Sequence, residues 1–356
     1  MLLTLLFACS PAVETDAPPP EGFLVVDGAH GSLAQCLAGF PESEAEKLAA
    51  EWSASPCAGS RTSAWGADGP GEAACAEPSS AVAAWRGDAL VAFATPPGAD
   101  GQVFGRVTAR PGGGLHVEVR APMPAKGSFL RLLVPDASPR ESAILSDTHA
   151  AMHVRMRTAE GIDIAPMIPP DSQGAKLFGL NSALLGSAVL DGTWELAVYP
   201  PAEGGTMPRP VLGLGVRTLT VDAALDTFME QVRSQWSIHR KPISAGAWKG
   251  ECVSGLRLMP DFEPCYLREG DKLAIGWNQS AVELAAAVSG RESAPNGVAL
   301  DLERLAESDA VLAASAPRST LVAPIRYPLG RLELALRDNG GEQLVLEGDS
   351  TRGCAP

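Results

Sequence analysis

Leu115-His-Val-Glu-Val-Arg120 alternates strictly between apolar and polar side chains. Successive side chains of a strand point to opposite faces, so this two-residue period marks a half-buried strand of an antiparallel sheet. The pattern returns in Met152-His-Val-Arg-Met-Arg157, and Thr193-Trp-Glu-Leu-Ala-Val-Tyr199 also reads as a strand. Further strands are expected at 23–26, 89–94, 103–108, 129–134, 211–221, 272–277, 298–302 and 321–327. Gly98-Ala-Asp-Gly101 and Gly112-Gly-Gly114 supply turns between them. The strongest hairpin signal lies near the C-terminus, where Asp338-Asn-Gly-Gly341 joins apolar runs at 329–337 and 343–347.

Helical patterning interrupts the strands at 41–52, 139–146, 171–189, 223–236 and 280–288, and 303–315 reads as helix or loop. Asp222 is the expected cap of the fourth of these helices. The Cys-, Gly- and Ser-rich residues 55–80 read as a loop. The expected fold is therefore α+β, mainly antiparallel sheet with several helices. The Pro/Gly-rich stretch around 200–210 is the best boundary, dividing the folded chain into subdomains at 23–200 and 205–356. Each half holds a helix ending in Trp (Trp52, Trp236), a two-cysteine stretch, then a strand and a helix carrying Glu-Ser-Ala-Ile-Leu145 or Ser-Ala-Val-Glu-Leu284. That recurrence suggests a tandem duplication of one α+β subdomain.

With 356 residues, 46% of them hydrophobic, the chain can fill a sizeable core, which excludes wholesale disorder. Its net charge of −14 repels phosphate backbones and argues against a general nucleic-acid binder.

Residues 1–8, Met1-Leu-Leu-Thr-Leu-Leu-Phe-Ala8, are almost wholly apolar and stop at Cys9. They are far shorter than the ~20 residues of a membrane-spanning helix and read as the end of a signal-peptide core. No Lys or Arg precedes the run, which an earlier start codon would supply. Leu6-Phe7-Ala8-Cys9 resembles the lipobox of bacterial lipoproteins: an aliphatic residue, a small one before the cleavage point, then the cysteine that is acylated. The resemblance implies lipidation of Cys9 with diacylglyceryl and palmitate-type chains, and a membrane anchor. Ser10 after the cysteine resembles the outer-membrane sorting pattern. Residues 10–22, with four prolines and three acids, cannot form a helix or a ladder and read as an extended tether, giving 9–22 as acylated cysteine plus linker.

There are seven cysteines. Setting Cys9 aside for the lipid leaves an even number, which suits disulfides in an exported protein. Cys57 with Cys75 and Cys252 with Cys265 look local, and Cys36 would then pair with Cys354. Neither a CxxC nor a close Cys/His cluster points to zinc.

His149-Ala-Ala-Met-His153, with Asp147 before it, has a spacing that would put two imidazoles on one face of a helix. His153, however, falls in the alternating run beside Arg155 and Arg157, and the expected reading is a solvated sheet face rather than a metal site. His30, His116 and His239 have no companions at motif spacing. Arg86-Gly-Asp88 reads as a plain turn, Asn278-Gln-Ser280 as a helix start, and Gly213-Leu-Gly215 as part of a strand. The sequence shows no catalytic motif and implies neither a cofactor nor a metal. The apolar run 171–189, broken only by Asn181 and Ser182, reads as buried core.

These features suggest an exported, lipid-anchored cell-envelope protein with a binding or structural role, held to the outer membrane by its N-terminal lipid. Its partner would be another envelope protein or a hydrophobic small molecule. Two rival readings differ in class. One is a carrier or chaperone of hydrophobic ligands, with 171–189 as the wall of its groove. The other is an envelope hydrolase whose site is assembled from residues distant in sequence.

Overall fold

The computed structural model describes residues 22–27, 60–66, 69–71, 80–89, 91–95, 101–110, 114–125, 134–136, 142–158, 189–202, 208–235, 238–255, 263–286, 296–301, 304 and 330–350. The expected elements at 41–52 and 321–327 lie outside these residues. So do those at 129–134, 171–189 and 303–315 apart from Val134, Val189 and Arg304, together with Cys9, Cys36, Cys57, Cys75 and Cys354. The described chain is mostly antiparallel sheet with three helices, an α+β arrangement. It divides into two compact units, Met1–Met123 with Ala299–Pro356, and Pro124–Val298.

The first unit contains β1 (Phe23–Asp27), β2 (Ser60–Gly66), β3 (Gly69–Gly71), α1 (Ser80–Arg86), β4 (Val91–Ala94), β5 (Phe104–Ala109) and β6 (Leu115–Pro122). Its strand order is completed by the C-terminal hairpin, whose strands are called β15 and β16 below. The alternation of β6 works as the sequence suggests. Leu115, Val117 and Val119 are buried on one face; on the other His116 and Arg120 are half-buried and Glu118 between them is buried. Helix α1 sets Val82 against Ala89, Ala92 and Ala94, with Trp85 edge-on to Phe104 at 6.0 Å.

Residues 60–66 and 69–71 are strands, where a continuous loop is expected from composition. Ser60-Arg-Thr-Ser-Ala-Trp-Gly66 becomes a strand because β1 pairs with it, Val25 facing Thr62. A partner so distant in sequence leaves no local trace.

The second unit contains β7 (Met152–Arg157), β8 (Leu190–Tyr199), β9 (Arg209–Val216), α2 (Val221–Gln235), β10 (His239–Ala245), β11 (Trp248–Ser254), β12 (Cys265–Glu269), β13 (Lys272–Gly276) and α3 (Gln279–Ala286). Next along the chain is β14 (Gly297–Asp301), followed by β15 (Arg331–Asn339) and β16 (Gln343–Ser350) of the first unit.

The strand order of the first unit is β15-β16-β6-β5-β4-β1-β2-β3, and that of the second is β10-β11-β12-β13-β9-β8-β7. The paired neighbours within each unit run antiparallel. The C-terminal hairpin forms as its sequence predicts. Asp338 Oδ1 accepts the N–H of Gly341 at 2.7 Å, and Gly340 and Gly341 take φ of 68° and 80°, which glycine adopts without strain. β16 then pairs along β6, Leu346 facing Val119.

In the second unit one sheet face is covered by α2. Among its described side chains Val221, Ala224, Leu225 and Met229 are buried at helical spacing, and the first three pack on Leu214, Val216 and Leu273. The helix starts at Val221, so Asp222 lies in its first turn instead of capping it. There its carboxylate receives Arg268 Nη1 at 2.7 Å. The opposite face is covered by α3 and by residues 142–150, with Ile144, Leu145, Ala281, Val282 and Ala285 in one core. Asn278 caps α3, accepting the N–H of Ala281 at 3.0 Å.

Three expectations are corrected in this unit. Residues 142–146 are not helical, because the N–H groups of Ile144 and Leu145 bond to a side chain of the sheet. The stretch 200–210 is no boundary: it joins β8 to β9, which pair directly, Tyr199 facing Arg209. Residues 239–254 form the hairpin β10–β11, with Gly246 at φ 60° in its turn, where no strands are expected.

The strand order lends no support to a tandem duplication. β1, the first strand of its unit, meets β4, the strand after α1, whereas β9, which precedes α2, meets β13, the last strand of the following meander.

Candidate functional site

On β8, Thr193, Glu195, Ala197 and Tyr199 share the face that packs under residues 142–150, and Glu195 has 0% of its surface exposed. An ionised carboxylate at such a place is costly unless every lone pair is met. Here they are met from three directions. Ile144 donates its N–H to Oε1 at 2.9 Å, and Leu145 donates to Oε2 at 2.8 Å. Arg155, directly opposite on β7, places Nε 3.3 Å from Oε1. His153, two residues along β7 and on the same face, places Nε2 3.1 Å from Oε2. Burial alone would raise the carboxyl's pKa. The hydrogen bond and charge of His153 and the two backbone N–H groups outweigh it, so Glu195 is held below the ordinary glutamate range and stays ionised.

Gly213 faces Glu195 from β9 and makes room for this arrangement. A Cβ there would lie 2.7 Å from Leu145 Cγ and 2.9 Å from Ile144 Cγ2, so only glycine lets the covering segment come so close. The segment is fixed twice more. Tyr199 Oη donates to the carbonyl of Ser146 at 2.6 Å, and the N–H of Ser146 donates to the carbonyl of Ala285 at 2.9 Å. Burial first, and the charge of Glu195 second, push the Tyr199 phenol above its ordinary pKa, which keeps it a donor. Glu195 is thus fully committed. It anchors the covering segment and orients His153, and it has no lone pair left for a ligand.

The sequence places His153, Arg155 and Arg157 correctly on one side of β7 but misreads that side as wet. Arg155 is 4% exposed, because residues 142–150 fold back over the sheet; Arg157 is half-buried, 3.8 Å from Asp136. His149 is exposed on the preceding segment, not on a helix shared with His153. Among the described residues no group of three His, Cys, Asp or Glu side chains is arranged to hold a metal ion. Glu195 itself escapes sequence reading. The available signal is an acid on the inward side of an otherwise apolar alternating run.

A second polar cluster lies on the first unit. His116 Nδ1 is 2.8 Å from Asp349 and its Nε2 is 3.8 Å from Glu347. Arg110 reaches Asp349 at 3.4 Å, and Arg337 pairs with Glu347. Its carboxylate partners lie some 230 positions away in sequence, which is why His116 looks companionless there. These half-exposed pairs contribute little individually.

Cys252 and Cys265 face each other across β11 and β12, both buried, with their sulfur atoms at disulfide distance. Among the described residues no helix is long and apolar enough to cross a membrane. Compared with protein-family models, curated proteins and solved structures, the chain matches none.

Proposed function

We propose that the protein is an exported cell-envelope protein, anchored in a membrane by a lipid on Cys9, with a binding or structural role. The observation that supports it best is the Cys252–Cys265 pair, two directly opposed cysteines at disulfide distance in the core of the second unit. Structural disulfides persist in oxidising compartments and are rare in the cytosol. The N-terminal run, the lipobox-like Leu6-Phe7-Ala8-Cys9 and the Pro-rich tether 10–22 agree with such an address. The binding or structural role is favoured by the use made of Glu195, whose bonds hold a segment onto the sheet.

Fractionating native-host cells and mapping thiols without reduction tests this reading. The expected result is protein in the membrane fraction with Cys252 joined to Cys265, and a Cys9→Ala variant that is released or remains a precursor. Wild-type protein in the soluble cytosol, with both thiols free to alkylation, would overturn it.

A further inference from the structure

The anchoring role of Glu195 leaves the second nitrogen of His153 unused. Nε2 faces Glu195 Oε2 at 3.1 Å, and an ionised carboxylate only accepts, so the proton between them belongs to Nε2. In the neutral ring the lone pair then lies on Nδ1. Among the described residues Nδ1 has no hydrogen-bond partner, and 11% of the side chain reaches solvent. The carboxylate behind the ring cannot swing away. It is wholly buried and tied to the Ile144 and Leu145 N–H groups and to Arg155. A fixed buried carboxylate selects one tautomer of the imidazole in front of it and holds the ring in one orientation.

We propose that His153 is a hydrogen-bond-accepting site of fixed tautomer, which binds the O–H of a small hydroxyl-bearing ligand at Nδ1, with Glu195 as its positioning residue. The narrow exposure of the ring limits the ligand to a small molecule or the tip of a larger one. The proposal is independent of membrane anchoring.

Long-range proton–nitrogen NMR of 15N-labelled protein at mildly alkaline pH reads the tautomer directly. The expected spectrum shows a lone-pair-type Nδ1 and a protonated Nε2 for His153, and an ethanol titration moves the His153 Nδ1 resonance along a saturating curve, whereas the solvent effect on exposed His149 stays linear. In Glu195→Gln the tautomer preference is lost. Carbethoxylation of His153 by diethyl pyrocarbonate, located by peptide mapping, slows on the order of tenfold there, the scale on which removing such a supporting partner acts. If that variant does not fold, the wild-type spectrum and its ethanol response still decide. A protonated Nδ1 with the lone pair on Nε2, or a His153 resonance indifferent to ethanol, overturns the proposal. A merely solvated histidine would show a linear, non-saturating ethanol response, which likewise overturns it.

Discussion

Replacing Glu195 by Gln keeps the shape of the side chain but turns one acceptor into a donor, among four groups that all donate. Breaking a buried charged network from one side costs about 3–5 kcal/mol, and urea unfolding of the two proteins at neutral pH should show a loss of that order. The effect has a pH signature. Because the Glu195 carboxyl is held below the ordinary glutamate range when folded, the unfolded chain binds more protons between the two pKa values, and stability rises with pH there. Its contribution is fully present above the ordinary glutamate range and is lost as pH falls through the folded-state value. The gap between wild type and Glu195→Gln should therefore shrink in acid. A gap independent of pH would mean that Glu195 is not the ionised centre of the network. Gly213→Ala probes the same place by volume. Its Cβ would press on Leu145 and Ile144, and overpacking of this kind costs about 1–3 kcal/mol. Unchanged thermal stability in that variant would show that residues 142–150 can lift off freely.

At the scale of elements, Cys252 and Cys265 stand at disulfide distance across β11 and β12; a bond between them closes a short loop, and constraining the unfolded chain in this way contributes about 2–4 kcal/mol. Cys252→Ser with Cys265→Ser should unfold at lower urea concentration by that amount, and equal midpoints would show that the sulfurs are not joined in solution. How much of the fold the sequence shows depends on how local the cause is. β6 and β7 are legible as strands because their alternation has the two-residue period of a strand, though the polar side of β7 carries the buried Arg155, and the β15–β16 turn is legible because Asp338-Asn-Gly-Gly341 serves little else. β2 and β3 are not, since β2 is made a strand by β1, a partner far off in sequence. The covering segment 142–150 is hidden for the same reason. Its conformation answers to Glu195, about fifty residues later, and a helix-like Glu-Ser-Ala-Ile-Leu145 gives way to two hydrogen bonds with a buried carboxylate. Alternation placed His153 on the right side of β7 but could not say what lies above it.

For the whole molecule, the first unit is closed by residues from both ends of the chain, β16 lying along β6, which consecutive halves of a sequence cannot show. Its polar sheet face with His116, Glu347 and Asp349 and the buried network of the second unit are ionic clusters among the described residues. The proposed membrane anchor is read from the sequence of residues 1–22 and is tested separately from them. The most direct test is metabolic labelling with radioactive palmitate in the native host, with the protein expressed from its own locus. Label is expected on the wild-type protein and should be absent from Cys9→Ala; an unlabelled wild-type protein, recovered at normal abundance, would contradict the account.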